Sequence, residues 1–294
     1  MKILVLGASG MLGNAMFRFL AENRQFDVTG TLRSTAMRRY FPESLHDRLK
    51  TGIDVLSQDQ LVSLFDDVCP EVVINCIGLV KQLGSASDPL SALPVNSLLP
   101  HRLDRLCGLA GARLVHFSTD CVFTGDRGMY TEEDTADARD LYGLSKYLGE
   151  VRDSSHAITL RTSIIGHELG RKLSLIGWFL TQQGRVPGYS RAIFSGLPTV
   201  EMARVVRDYV LPGPQLQGLY HVSASAIDKK SLLELVAKAY GKEIEIEDDP
   251  SVVIDRSLDS KKFRDATAYA PPTWPELVES MKSYHERWNM GDEA

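Results

Sequence analysis

Lys2-Ile3-Leu4-Val5-Leu6, followed by Gly7-Ala8-Ser9-Gly10-Met11-Leu12-Gly13, is the stretch whose reading decides the fold. The first five residues make a short apolar run, the pattern of a strand covered on both faces in a parallel sheet. Gly7 permits a tight turn at the strand end. Gly10 presents no side chain where a pyrophosphate would approach the backbone, and Gly13 lets the next helix lie close to the strand. That helix, from Met11 to about Glu22, aims its first amides at the phosphates. The expectation is a dinucleotide cradle lined by Gly7, Ser9, Gly10, Met11 and Leu12. The plainer alternative is a strand-to-helix turn that holds no ligand.

The same rhythm continues outward. Residues 26–32 read as a second strand, 51–55 as a third and 71–78 as a fourth ending in a glycine turn. Residues 112–117 and 157–161 read as the fifth and sixth strands. Helices are expected at 58–67, 96–111 and 142–153. The β-α alternation predicts a doubly wound parallel α/β sheet. After Gly166 the rhythm breaks into a segment rich in glycine, aromatic and basic residues. A helix at 200–210, a strand at 218–222, a helix at 231–240 and a last helix from Trp274 follow. The expected organisation is a dinucleotide-binding domain over 1–166, to which about 200–224 return. A smaller C-terminal substrate lobe is expected from 167–199 and 225–294.

The bulk numbers exclude several classes. With 294 residues the chain can bury a large core in one or two domains. A net charge of −5 argues against electrostatic capture of nucleic acid or of an anionic membrane. The four cysteines, Cys69, Cys76, Cys107 and Cys121, lack metal-type spacing and read as reduced thiols of a cytoplasmic protein. No metal site is expected. No run of about 18 apolar residues is present, and the N-terminus is already a strand, so neither a membrane span nor a signal peptide is expected.

In a doubly wound sheet an acid at the end of the second strand selects NAD by bonding the ribose hydroxyls. Here that strand ends Thr31-Leu32-Arg33, with Arg38 and Arg39 close behind. A guanidinium there pairs with a 2′-phosphate, so NADP(H) is favoured over NAD(H), against a solvated surface arginine as the alternative. Asp54, with Val55, closes the predicted third strand and is a candidate acceptor for the adenine amino group; a turn-forming aspartate is the alternative. Tyr142 and Lys146, four apart on a predicted helix, share one face. A neighbouring ammonium lowers a phenol pKa of about 10, which suits proton transfer near neutrality. Ser118 and Thr119 follow the fifth strand, at the sheet edge where open α/β folds bind ligands.

The glycine turn, Asn75-Cys76-Ile77-Gly78, Ser118-Thr119-Asp120-Cys121-Val122-Phe123, Tyr142 to Glu150, Leu160-Arg161-Thr162-Ser163, Gly218-Leu219-Tyr220 and Arg256-Ser257-Leu258-Asp259 stand in one order. In that order the chain resembles the extended short-chain dehydrogenase/reductases, and more finely the dTDP-4-dehydrorhamnose reductase family. The resemblance spans nearly the whole chain, strongest up to residue 163. It implies a Rossmann domain with a small sugar-nucleotide domain, and a cytoplasmic enzyme of deoxysugar and polysaccharide biosynthesis. Thr119, Tyr142 and Lys146 would be its catalytic residues. Ser118, Cys76, Ile77 and Gly78 would line the cofactor.

The implied reaction is NADPH-dependent reduction of a nucleotide-linked 4-keto-6-deoxysugar. The nucleotide sugar is the expected partner, together with a homodimer through residues 101–110 and 143–152. Where the family carries a sugar-contacting tryptophan this chain has Ile164, and the loop 189–194 also differs. A related UDP- or dTDP-linked sugar, including an acetamido-substituted one, therefore stands beside dTDP-4-dehydrorhamnose. Lys81, Gln82, Thr119, Asp120, Cys121, Ile164 and Trp178 are candidate sugar contacts. Arg256, Arg185 and Arg191 are candidates for the diphosphate. Cys121 stands where the 4,6-dehydratases need a glutamate, which argues against that chemistry. An epimerase retaining NAD(P) and a non-catalytic regulatory subunit are the remaining alternatives.

Overall fold

The computed structural model describes residues 1–79 and 87–289, so the expectations for Lys81 and Gln82 fall outside the described residues. The first half runs β1 (Lys2–Leu6), α1 (Met11–Ala21), β2 (Asp27–Leu32), β3 (Leu49–Thr51), α2 (Gln58–Val68), β4 (Val72–Asn75), α3 (Pro89–Ala92), α4 (Leu99–Ala110), β5 (Arg113–Thr119), α5 (Leu141–Leu148) and β6 (Ala157–Thr162). The second half runs β7 (Ile164–Ile165), α6 (Leu175–Thr181), β8 (Arg185–Tyr189), β9 (Ala192–Phe194), β10 (Leu197–Pro198), α7 (Thr199–Val205), β11 (Gly218–His221), β12 (Ile227–Asp228), α8 (Lys229–Tyr240), β13 (Glu245–Asp249), β14 (Ile254–Asp255), α9 (Lys261–Thr267) and α10 (Trp274–Asn289).

Seven strands form one sheet in the order β11-β6-β5-β4-β1-β2-β3, and every neighbouring pair is parallel. The doubly wound sheet expected from the alternation is present. Its strand order reverses between β1 and β4, the point where such sheets open a crevice at their carboxyl ends. The apolar run of β1 is explained by two cores. Ile3 and Val5 enter one with Met16, Phe17, Ile74 and Val115, while Leu4 and Leu6 enter the other with Leu61, Val73, Leu103 and Leu114. Full burial of each such side chain contributes roughly 1.5–3 kcal/mol. Beyond β6, β11 rejoins the large sheet, and segments on either side of it in sequence pair into the small sheets β12-β9-β14 and β13-β8. Among the described residues no helix is long and apolar enough to cross a membrane.

Of the boundaries that differ from expectation, three bear on the site. The third strand ends at Thr51 rather than Val55, because Gly52 turns at φ +76°. Asp54 therefore follows the strand instead of closing it. Its carboxylate accepts from the Leu56 amide at 3.0 Å, and the side chain is exposed. The helix expected over 96–111 starts at Leu99, preceded by a wide π-type turn at Leu93–Leu98 that contains Pro94. Proline lacks the amide a regular helical turn requires. The tyrosine helix spans Leu141–Leu148, started by Asp140 accepting from the Gly143 amide at 3.0 Å. Leu98, Leu144 and Leu148 are exposed on this side of the molecule, at and beside the helices where the resemblance implies a homodimer.

Candidate active site

The turn after β1 is built as its residues dictate. Gly7 sits at φ +82°, and its amide donates to Thr31 Oγ1 of β2 at 3.0 Å. Gly13 lies against it so closely that a Cβ there would stand 2.1 Å from the Gly7 carbonyl oxygen. Gly10 is different: it is exposed, and a Cβ would meet only the Gly7 oxygen, at 3.4 Å. No side chain caps the first turn of α1, so its amides remain available to an anion. Across the crevice Ile77 packs against Gly7, and the Cβ position of Gly78 faces Asn96 Oδ1 at 3.5 Å and Lys146 Nζ at 3.7 Å. The cradle and the lysine thus border one crevice, and these residues fit a dinucleotide. Arg33 is exposed directly after β2. Val55 is half-buried against the second core, and Cys76 is half-buried against the first.

The end of β5 brings the catalytic candidates together. Thr119 is the last residue of β5; its hydroxyl donates to Asp120 Oδ1 and accepts from the Cys121 amide, both at 3.1 Å. The Tyr142 phenol lies beside Thr119, which favours its ionised form. Burial pushes that phenol well above its ordinary value. Cys121, Asp120 and Asp140 push in the same direction, and Thr119 opposes them. Lys146 is buried and donates from Nζ to the Phe117 carbonyl at 2.7 Å; burial lowers it to about 8, partly opposed by Glu150. The expected lowering of the phenol by the lysine is therefore not what this arrangement produces. Tyr142 is a proton reservoir across the neutral range, and Lys146 is the group poised to titrate.

Asp120 is buried and its carboxyl is held above the usual range by burial, against the pull of Arg256, the hydrogen bond from Thr119 and the nearby Cys121 and Ser163 side chains. Burial, with the charge of Asp120, pushes the Cys121 thiol up to about 12, so it is no thiolate nucleophile. Arg256 reaches this corner from the C-terminal segment: Nε donates to the Phe123 carbonyl at 2.9 Å and Nη1 to Cys121 Sγ at 3.6 Å. Ser118 turns the other way and donates to Glu150 Oε1 at 2.7 Å. Ile164 pairs with Leu197 of β10, and both it and Trp178 of α6 are half-buried against the first core. Arg185 pairs with Glu247 at 2.7 Å on the small β13-β8 sheet, and Arg191 is exposed. Among the described residues no cluster of His, Cys, Asp or Glu could hold a metal ion.

Asn96 escaped the sequence reading. It is buried in the π-type turn, accepts from the Leu79 amide at 2.9 Å and donates to the Leu79 carbonyl at 3.2 Å and Ser145 Oγ at 3.1 Å. It thus ties the turn after β4 to the tyrosine helix. Glu150, Arg161 and His221 were also missed as a group. Glu150 and Arg161 stand in stretches that carry the family resemblance, but nothing in the sequence says that they meet each other or His221.

Residues 1–248 match the family described as the RmlD substrate binding domain. The chain belongs to this family. A probable low-salt glycan biosynthesis reductase of Haloferax volcanii is 33% identical over 182 residues, covering 60% of this chain and 58% of that protein. A dTDP-4-dehydrorhamnose reductase of Aggregatibacter actinomycetemcomitans is 25% identical over 97% of this chain and 99% of its own length. The methionine adenosyltransferase 2 subunit beta of Mus musculus is 26% identical over 57% of this chain and 48% of that protein. The shared stretch is thus about half the length of the first and third of these relatives. Among solved structures, a dTDP-4-dehydrorhamnose reductase of Bacillus anthracis in complex with NADP superposes with a TM-score of 0.78, at 19% identity, covering 96% of this chain and 99% of that one. A dTDP-glucose 4,6-dehydratase of the same species with NAD reaches 0.78 at 17% identity, covering 99% and 98%. These likenesses establish the Rossmann-like fold of the RmlD-type extended reductases.

Proposed function

We propose that the protein is an NADPH-dependent reductase acting on the 4-keto group of a nucleotide-linked 6-deoxysugar, dTDP- or UDP-linked. The observation that carries this reading is the placement of the Tyr142 phenol beside Thr119 at the carboxyl edge of the sheet. Beside it stands Lys146, whose ammonium also borders the glycine turn after β4. Bound NADPH supplies a hydride to the carbonyl carbon. Tyr142, kept protonated by burial, gives its proton to the carbonyl oxygen as charge develops there. Thr119 holds the same oxygen by its hydroxyl. Lys146 carries its positive charge at the cofactor side of the crevice. Asp120 and Cys121, with Arg256 behind them, form the wall next to Thr119 on which the sugar would rest.

The reading is tested by mixing the protein with NADPH and a panel of UDP- and dTDP-4-keto-6-deoxysugars and following the absorbance of the reduced cofactor. Turnover with at least one sugar is expected. Intact NADPH binding with no turnover on any member would favour a nucleotide-sugar epimerase that retains NAD(P), or a regulatory subunit. The likeness to a methionine adenosyltransferase subunit is what keeps the subunit reading in view.

The cofactor preference rests on Arg33. A charge-assisted contact to the 2′-phosphate contributes about 1.5–3 kcal/mol, so Arg33→Ala is expected to weaken NADPH binding about tenfold or more. NADH binding should hardly change. Equal loss for both cofactors, read by fluorescence titration, would remove the phosphate role.

A further inference from the structure

We infer that Glu150 is a positioning residue of the site, locking the end of β5, and with it the Thr119 hydroxyl, to the helix that carries Tyr142 and Lys146; the inference rests on the reductase reading above. Glu150 is buried, and its carboxylate is the meeting point of three elements. Ser118 Oγ donates to Oε1 at 2.7 Å. Arg161 of β6, wholly buried, donates from Nε to Oε1 at 2.6 Å and from Nη2 to Oε2 at 2.8 Å. Arg152 adds Nε to Oε2 at 3.0 Å. The remaining Nη1 of Arg161 faces His221 Nε2 of β11 at 3.2 Å, and its guanidinium lies over the Phe123 ring at 5.1 Å. His221 is kept neutral, at about 4, by burial and by Arg161.

The placement of this carboxylate is built in. Gly149 leads the chain from α5 into the interior, and a Cβ there would sit 1.9 Å from the Asn96 carbonyl oxygen. The close approach delivers Glu150 beneath the site. Two consecutive residues before Thr119 are then fastened to the α5 segment: Phe117 by Lys146 at 2.7 Å and Ser118 by Glu150 at 2.7 Å. The reactive hydroxyl and the phenol are held on one frame, where small misplacements cost rate. The carboxylate also acts on Lys146, opposing the loss of its proton. His116 of β5 also faces Lys146; it is wholly buried and held neutral by burial, then by Lys146 and His101.

An ion pair with a purely structural role would change melting temperature alone, so the test reads more than stability. In the full chain, Glu150→Gln is expected to lower kcat about 100-fold, with KM for NADPH within about twofold. If the Lys146 ammonium is needed for turnover, kcat of Glu150→Gln should fall at lower pH than that of the parent protein, because the carboxylate that supports the charge is gone. In protein carrying ¹⁵N-lysine, the Lys146 resonance should titrate lower in Glu150→Gln than in the parent. A folded Glu150→Gln with parental kcat and parental Lys146 titration overturns the inference. Should that variant not fold, Ser118→Ala keeps the Glu150–Arg161 pair; it should stay folded at the assay temperature yet lose about tenfold in kcat, and parental kcat overturns the inference. If the parent turns over no sugar at all, the reductase reading fails, and the lysine titration still decides the positioning claim.

Discussion

Tyr142→Phe is expected to lower kcat by about 10²–10⁴-fold, the span over which a positioned proton donor contributes, or roughly 3–5 kcal/mol of barrier. The substitution removes one oxygen. It deletes the phenolic proton beside Thr119 at the end of β5, and it leaves the ring in the first turn of α5. The phenol is held above its ordinary value by burial, so it is protonated throughout the neutral range, and the parent enzyme never lacks the donor there. NADPH binding should stay within about twofold, because the glycine turn and the Lys146 ammonium are untouched. Stability is expected to change by no more than about 1 kcal/mol. Stopped-flow kinetics beside fluorescence titration of NADPH separates the two. Normal turnover by Tyr142→Phe would show that the proton comes from elsewhere.

Gly13→Ala is expected to be the most damaging small substitution in the cradle, and Gly10→Ala the contrasting one. At Gly13 a methyl would stand 2.1 Å from the Gly7 oxygen and 2.8 Å from its carbonyl carbon. Both are backbone atoms of a turn fixed to β2, so α1 itself must retreat. Overpacking of this kind costs about 1–3 kcal/mol or more, and each kcal/mol lowers the melting temperature by roughly 2–4 °C in a chain of this class. NADPH binding falls with it. At Gly10 the same methyl finds only one neighbour at 3.4 Å and points to open space. Gly10→Ala should therefore melt like the parent, yet bind NADPH about tenfold more weakly or worse, because the methyl occupies the path of the pyrophosphate. Parental NADPH affinity in Gly10→Ala would reduce the turn to a packing device.

Local patterns were readable where one stretch carries the whole cause. The β1 run, the spacing of Gly7, Gly10 and Gly13, and the four-residue interval from Tyr142 to Lys146 each depend on neighbours in sequence, and the doubly wound sheet follows from their alternation. What could not be read depends on partners far apart. Asn96 clamps Leu79 to Ser145 across 17 and 49 residues, from a turn whose width Pro94 sets. Glu150, Arg161 and His221 meet only because β5, β6 and β11 lie side by side. Asp54 was misplaced for a local reason: Gly52 ends the strand two residues earlier, and the carboxylate serves its own turn. The direction of the Tyr142 shift was misjudged because burial, which a sequence does not display, outweighs a nearby ammonium engaged with Phe117.

The most direct test of the reductase account follows the hydride itself. The protein is incubated with NADPH deuterated at the transferable nicotinamide position and a nucleotide-linked 4-keto-6-deoxysugar that it turns over, and the product is examined by proton NMR and mass spectrometry. The account predicts one deuterium on C4 of the sugar and one equivalent of oxidised cofactor per product. A converted sugar without deuterium and without net cofactor oxidation would contradict it.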